Sequence, residues 1–323
     1  MTGVFDFLKV SAVTMHVQSS SPCLSGTVTR ALPAQYSVFT GQQSLLCTDN
    51  RPRGHSERIV TGDAVRVVET ASGGGKIIEV LPRRSQLTRR AAASRQGAYA
   101  GEQVLVANID QVIFVFAAAD PEPHWTLLDR YLVAAHAQDL LPLVCITKLD
   151  LVEGTPAQPA LFQAVEEYRR IGYRVLLTSS RDGSGMDDLR DAMNGQTSAL
   201  FGKSGVGKTS LLNALVAGLG ERVSAVNPVT GKGRHTTTAA QAFPLPWGAL
   251  IDTPGMREFA LWDVEARTLD QFFPEMRPFV GRCRFRAGCS HTEEPGCAVR
   301  AAVAGGQISP RRFNSYLRLR MEG

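Results

Sequence analysis

Residues 202–209 read GKSGVGKT, and this octapeptide decides how the chain around it is read. Gly202, Gly207, Lys208 and Thr209 fit the pattern GxxxxGK(S/T). In that pattern the glycines let backbone N–H groups approach phosphates, the lysine meets the β and γ phosphates, and the threonine hydroxyl can ligate Mg2+. The bland alternative is a glycine-rich turn. The flanks favour the phosphate loop: SALFG at 198–202 is strand-like and TSLLNALVAG at 209–218 has helical periodicity, the strand, loop, helix order such a site needs. The candidate binding set in the loop is Lys203, Ser204, Gly205, Val206, Gly207, Lys208, Thr209 and Ser210, with Lys208 and Thr209 also counted as catalytic.

A phosphate loop alone leaves ATPase, kinase and GTPase open. TKLD at 147–150 follows the apolar strand LPLVCI, so Asp150 projects from a strand's carboxyl end, where ligands of such sheets bind. A carboxylate there accepts two hydrogen bonds from guanine N1–H and its amino group, which adenine cannot offer, while Lys148 lies along the base. Thr147 stands where this motif more often has Asn and lacks the amide, which weakens the expected grip on the base but not the guanine preference. LLTSS at 176–180 is read as the second base loop, with Ser179 and Ser180 near the guanine carbonyl. GALIDTPG at 248–255 supplies Asp252 for Mg2+ and the Gly255 N–H for the γ phosphate. Between them GKGRHTTT, 231–238, is either a flexible loop or a switch whose Thr237 closes on the metal.

These elements run base reader, second base loop, phosphate loop, threonine switch, DxxG. An ordinary GTPase begins with the phosphate loop and ends with the base elements. Moving the last two to the front preserves a site whenever the original ends were adjacent, so the order describes a circularly permuted GTPase. The DxxG element then sits at the domain's end, beside a cysteine-rich segment that nucleotide state could move. Met256 stands where many GTPases carry a water-orienting glutamine; a thioether cannot do that, so turnover without a partner should be slow. His235, beside the switch threonines and titratable near neutrality, is the catalytic candidate, against the reading of a surface histidine in a loop.

The rest of the chain sets the frame. Its 323 residues suggest two or three domains, 44% hydrophobic content suffices for buried cores, and the net charge of +5 suits an anionic partner or merely a solvated basic surface. No apolar run reaches the roughly 18 residues of a membrane span. The opening residues differ from a secretory signal, so the expectation is a cytoplasmic protein without a membrane partner, a transit peptide being the alternative. Residues 1–20 read as a flexible extension and 21–85 as a five-strand OB-like barrel, with another small barrel or sandwich left open because alternation does not fix strand order. Residues 86–102 read as a basic linker, part of a stretch whose Arg83–Arg84, Arg89–Arg90 and Arg95 either meet phosphates or are simply solvated. Strand and helix patterns alternate over 103–257, an α/β domain, and 258–323 is a small, mainly helical tail.

In that tail Cys283, Cys289, His291 and Cys297 occur as C-x5-C-x-H-x5-C. Three thiolates and an imidazole satisfy one tetrahedral zinc ion and leave no position for water, so the site is expected to be structural; buried reduced cysteines are the alternative. Cys23, Cys47 and Cys145 read as packing or incidental residues. The segments RPFVGRCRFRAGC, 277–289, and SPRRFNSYLRLR, 309–320, mix arginine with aromatics, which suits RNA or a merely solvated helix.

The permuted order together with ANIDQV at 107–112, PEPHWTLLDRYLVAA at 121–135, GRHTTT, DTPG and the late cysteine cluster resembles the ribosome small-subunit-dependent GTPase A family, over about residues 25–319. The resemblance implies an OB-fold, a permuted GTPase domain, a zinc tail, and GTP hydrolysis stimulated by the small ribosomal subunit and its rRNA during late maturation. It favours a catalytic role for His235. The family has four residues, not five, between its first two cysteines, and Ala287–Gly288 is where the additional residue is expected to fit. A monomer is expected. Two rivals stay open: an RNA-binding scaffold with a vestigial nucleotide site, and a permuted GTPase of the large subunit.

Overall fold

In the computed structural model, which describes residues 23–52, 57–90, 102–215, 240–253 and 264–322, three packed units follow one another along the chain. Short alternating runs near the start form β1(Cys23–Leu32), β2(Gln35–Phe39), β3(Ser44–Asp49), β4(Ala64–Glu69) and β5(Gly75–Val80). Their order β1-β2-β3-β5-β4 closes back on β1, and β3 pairs with β5 in parallel. Closure resolves the alternative left open by the sequence: this is a five-strand barrel of OB-like order. Period-two alternation sends Val28, Val38, Leu45, Cys47, Val65, Val67 and Ile77 inward as its core.

Residues 86–102, expected as a linker, instead contain strand β6(Gln86–Arg90), paired antiparallel with β7(Glu102–Ala107). Leu87 and Thr88 are buried while Arg89 donates to Gln103 on the partner strand, and the apolar content of this strand is one leucine. Residues 91–101 lie outside the described set. The preceding arginines are pinned as well. Arg83 pairs with the fully buried Asp63 at 2.7 Å and Arg84 with Asp110, which joins the barrel to the next unit. Gly62 completes that seam: a Cβ there would lie 2.0 Å from the Ala107 carbonyl oxygen, and its φ of +93° suits only glycine.

The central unit alternates β8(Gln111–Ala117), α1(Trp125–Ala137), β9(Leu141–Thr147), α2(Gln158–Ile171), β10(Arg174–Leu177), α3(Met186–Met193), β11(Thr197–Phe201), α4(Lys208–Leu215), β12(Gln241–Leu245) and β13(Gly248–Asp252). The sheet order is β10-β9-β8-β11-β13-β12, parallel except for β12. Strand β8 is buried throughout because helices cover both faces. Val112, Phe114 and Phe116 point to the α1/α2 side, and Ile113, Val115 and Ala117 to the α3/α4 side. A bridge from Gln241 to Arg30 continues the sheet into the barrel.

The tail holds α5(Ala298–Ala304) and α6(Pro310–Glu322), and its core of Leu269, Phe273, Met276, Tyr316 and Leu319 reaches Val133 on α1. One arginine bolts it down. Arg312 on α6 is fully buried, donates to Asp129 of α1 at 2.6 Å and to Glu275 at 2.7 Å, and lies 4.6 Å over the Phe273 ring. Asp129, also fully buried, accepts from the Tyr168 hydroxyl of α2. Removing the guanidinium strands two carboxylates in a low-dielectric interior. Arg312→Ala is therefore expected to destabilise the folded protein by about 3–5 kcal/mol, and Arg312→Met with Asp129→Leu and Glu275→Met to recover most of that, as read from denaturant unfolding.

Candidate nucleotide site and metal centre

The phosphate loop is positioned by β11, which lies between β8 and β13 at the middle of the sheet. Gly202 follows that strand directly and lies so close to β8 that a Cβ would be 2.4 Å from the Val115 carbonyl oxygen. The loop then turns through exposed Lys203, Ser204 and Gly205 and buries Val206 in the α3/α4 core. Helix α4 begins at Lys208, so its positive end faces the mouth of the loop. Thr209 and Ser210 are exposed on the first turn. Lys208 folds back over its own loop, donating to the carbonyls of Gly202 at 2.6 Å and Lys203 at 2.8 Å.

Asp252 closes β13 and is the register partner of Leu200 on β11, which puts its carboxylate at the same sheet edge as Lys208. Burial raises the Asp252 carboxyl above its ordinary value, opposed by Lys208. Burial likewise lowers the Lys208 ammonium, opposed by Asp252. Desolvation thus works against both charges, and phosphate beside the lysine or a divalent cation beside the carboxylate would restore them.

The base elements reach the same edge from upstream in the chain. Strand β9 ends at Thr147, Lys148 takes a left-handed conformation with φ of 58°, and Asp150 follows in a single 3-10 turn. Ser179 donates to an Asp150 carboxylate oxygen at 2.8 Å, tying the second base loop to the base reader, and Arg181 lies 3.7 Å from the other oxygen. Ser179 is buried and Ser180 exposed. The Thr147 hydroxyl donates to the Val206 carbonyl, joining base reader to phosphate loop. TKLD, TSS, the GKSGVGKT loop and Asp252 are therefore brought together at one end of the sheet. His235, Thr237, Gly255 and Met256 lie outside the described residues.

Sequence reasoning passed over Asp120, whose backbone carbonyl accepts from Lys148 and whose peptide bond to Pro121 is cis. The only signal was the Asp-Pro pair at the end of an apolar run.

In the tail, one donor atom from each of Cys283, Cys289, His291 and Cys297 lies within 4.8 Å of the others, and all four residues are buried. His291 turns Nδ1 toward the sulfurs, 3.5 Å from Cys283 and 3.4 Å from Cys297, and sets Nε2 3.1 Å from an Asp270 oxygen. Backbone N–H groups of Ala298 and Arg300 donate to the Cys283 and Cys297 sulfurs. Three soft donors, one imidazole and N–H groups that favour thiolate fit a metal ion. Burial opposes charge on His291, but Asp270 and the cysteines push it up to about 9, so its surroundings favour positive charge at the cluster. Between the first two cysteines the chain makes a 3-10 turn, Arg286–Gly288, whose Arg286 has φ of 47°. Asp270, invisible as a partner in the sequence, orients the imidazole from behind. Asp270→Asn is expected to weaken metal retention roughly 10- to 100-fold in a chelator competition.

The family described as RsgA GTPase matches residues 80–262. A Gemmatimonas aurantiaca protein described as small ribosomal subunit biogenesis GTPase RsgA is 44% identical over 306 residues, covering 92% of this chain and 97% of that one. Its namesake in Azotobacter vinelandii is 44% identical over 265 residues, covering 82% and 75%. Among solved structures, YloQ, titled a circularly permuted GTPase, matches with TM-score 0.72 at 28% identity over 94% of this chain and 96% of that one. YjeQ from Thermotoga maritima matches with TM-score 0.73 at 30% identity over 93% and 98%.

Proposed function

The chain belongs to the RsgA GTPase family and is a GTP hydrolase, and from that premise we propose that it binds the small ribosomal subunit and hydrolyses GTP there late in the subunit's maturation, slowly when alone and faster on the subunit. The observation that carries the reading is the convergence of Asp150, Ser179, Lys208 and Asp252 at one sheet edge despite their permuted order, in a chain that aligns along 97% of a relative named for that role.

In this reading Asp150 accepts from guanine N1–H and the amino group, held in place by Ser179. The backbone from Lys203 to Gly207 wraps the phosphates and Lys208 swings from its loop carbonyls onto the β and γ phosphates. Mg2+ neutralises developing phosphate charge when bound, and Thr209 and Asp252 are the residues that would hold it. His235 orients the attacking water in place of the missing glutamine, with Thr237 and Gly255 sensing the γ phosphate. The cysteine cluster holds one structural zinc ion, since four protein ligands leave no position for substrate. Arg282, Arg284, Phe285 and Arg286 are exposed together beside that cluster, a set of cations and a ring suited to rRNA. The barrel at 21–85, the GTPase unit at 103–257 and the tail at 258–323 are the working domains of a cytoplasmic monomer. Among the described residues no helix is long and apolar enough to cross a membrane.

The test is GTP hydrolysis by the purified protein alone, with small subunits, and with large subunits at equal concentration. Stimulation by small subunits only is expected; equal turnover in all three mixtures would remove the ribosomal partner. His235→Ala is expected to keep GTP affinity and to lose most of the stimulated rate, on the order of 10²-fold.

A further inference from the structure

The barrel joins the nucleotide-binding sheet at one register pair, Arg30 of β1 with Gln241 of β12. Gln241 is in turn the partner of Asp252 on β13, and Asp252 of Leu200 on β11, so one row of the ladder runs from the barrel through Asp252 to the strand that launches the GKSGVGKT loop. The junctions in that row are unequal. Strands β12 and β13 are paired at every position from Gln241 to Leu245, whereas β1 and β12 share a single pair. A structure opens first where the fewest hydrogen bonds hold it, so a load on the barrel falls on the junction between β1 and β12.

One side chain reinforces that junction. The Thr61 hydroxyl, in the segment that leads into β4, donates at 2.9 Å to the carbonyl of Ala240, the residue before β12. Thr61 is buried at 2% exposure. Its backbone is fixed on two other elements: its carbonyl accepts from Ala107 of β7 at 3.0 Å, and the N–H of the next residue, Gly62, donates to the Val28 carbonyl of β1 at 2.8 Å. Thr61 thus stands among the barrel, β7 and β12, and its hydroxyl is the tie to β12. The barrel's salt bridge from Arg84 to Asp110 reaches the chain just before β8 and lies outside the row that contains Asp252.

We infer that Thr61 is a positioning residue, whose hydroxyl ties β12 to the barrel so that the small subunit's hold on the barrel is passed to Asp252 and raises the rate of hydrolysis. The inference rests on the proposed stimulation by the subunit. Without the subunit the β12–β13 ladder holds Asp252 by itself, so Thr61 is silent in nucleotide binding and in unstimulated turnover. On the subunit the Asp252 carboxylate takes its working position only when β12 moves with the barrel.

The experiment uses the full chain and compares GDP affinity, turnover alone, co-sedimentation with small subunits, and turnover at saturating small subunits. Thr61→Val removes the hydroxyl proton at nearly constant volume, and Thr61→Ser keeps it. Thr61→Val is expected to leave the first three quantities unchanged and to lose roughly 10-fold in subunit-stimulated turnover, most of which Thr61→Ser restores. Arg84→Ala, which cuts the other tie, is expected to keep all four. Amide hydrogen exchange of the wild-type chain is expected to slow at Gln241 and Ala242 when small subunits are added, a readout that stands even if the valine variant does not fold. Full stimulation of Thr61→Val would overturn the inference, as would unchanged exchange in β12 or an equal fall in turnover without subunits. Loss of co-sedimentation would also overturn it, by making Thr61 a support of the barrel's binding face, and so would an equal loss in Arg84→Ala, since any loosening of the barrel would then suffice. A wild-type chain that small subunits do not stimulate would instead sink the underlying reading.

Discussion

The close approach of Gly202 to the Val115 carbonyl is the constraint on which the site depends. It holds the end of β11 against β8 with no room for a side chain, so the loop that follows starts from a fixed point at the middle of the sheet. From there the ladder fixes everything else: β8 carries β9 on its other side and with it Thr147 to Asp150, and β11 carries β13 and Asp252. Parallel ladders specify which strands are neighbours and are indifferent to which strand was made first. A chain that enters the domain at the base-reading half therefore assembles the same site, provided its crossovers span the sheet as helices, which α1 to α4 do.

Permutation also decides what the site is attached to. The chain enters the central sheet through a barrel stapled by Arg83 to Asp63 and Arg84 to Asp110, and leaves it from β13 toward the cysteine-rich tail. That tail returns to the far side of the domain, where Arg312 meets Asp129 on α1 and Arg311 meets Glu167 on α2 at 2.7 Å. Buried ion pairs add little net stability because their desolvation is costly, but they penalise misplacement heavily. Arg312 is satisfied by Asp129, Glu275 and an aromatic face together, so α6 docks in one geometry.

How much of this was legible depended on how far apart the partners lie in sequence. The strand, loop, helix setting of GKSGVGKT, the place of TKLD at a strand's end and the alternating strands were readable because glycine spacing and hydrophobic period are local signals. The barrel's strands were readable but their order was not, since alternation names a face and not a neighbour; closure needed Gly75, where a Cβ would lie 2.6 Å from Cys47 and Val67. Strand β6 was hidden by the arginines in its sequence, QLTRR, which leave Leu87 as its apolar signal. The cysteine spacing marked a candidate metal cluster, whereas Asp270 behind His291 and Asp129 beneath Arg312 are ordinary acidic residues until the fold brings them to their partners. The Thr147 substitution read as a weaker base contact, because the Val206 carbonyl it meets is 59 positions downstream.

These long-range partners make the metal centre and the docking of the tail a single problem. Cys283, Cys289 and Cys297 belong to the same apolar core as Phe273 and Tyr316, and that core extends to Val133 on α1. Tyr316 lies on the same helix as Arg312 and donates to the Ser290 carbonyl, between two of the cluster's ligands. Asp270 reaches the cluster from the other side through His291. A ligand set assembled by folding ties the free energy of metal binding to the folding of whatever packs around it. Here that includes the helix carrying Arg312, so a metal ion bound at the cluster would also hold α6 against α1 and α2, the helices on either side of β9 in the chain.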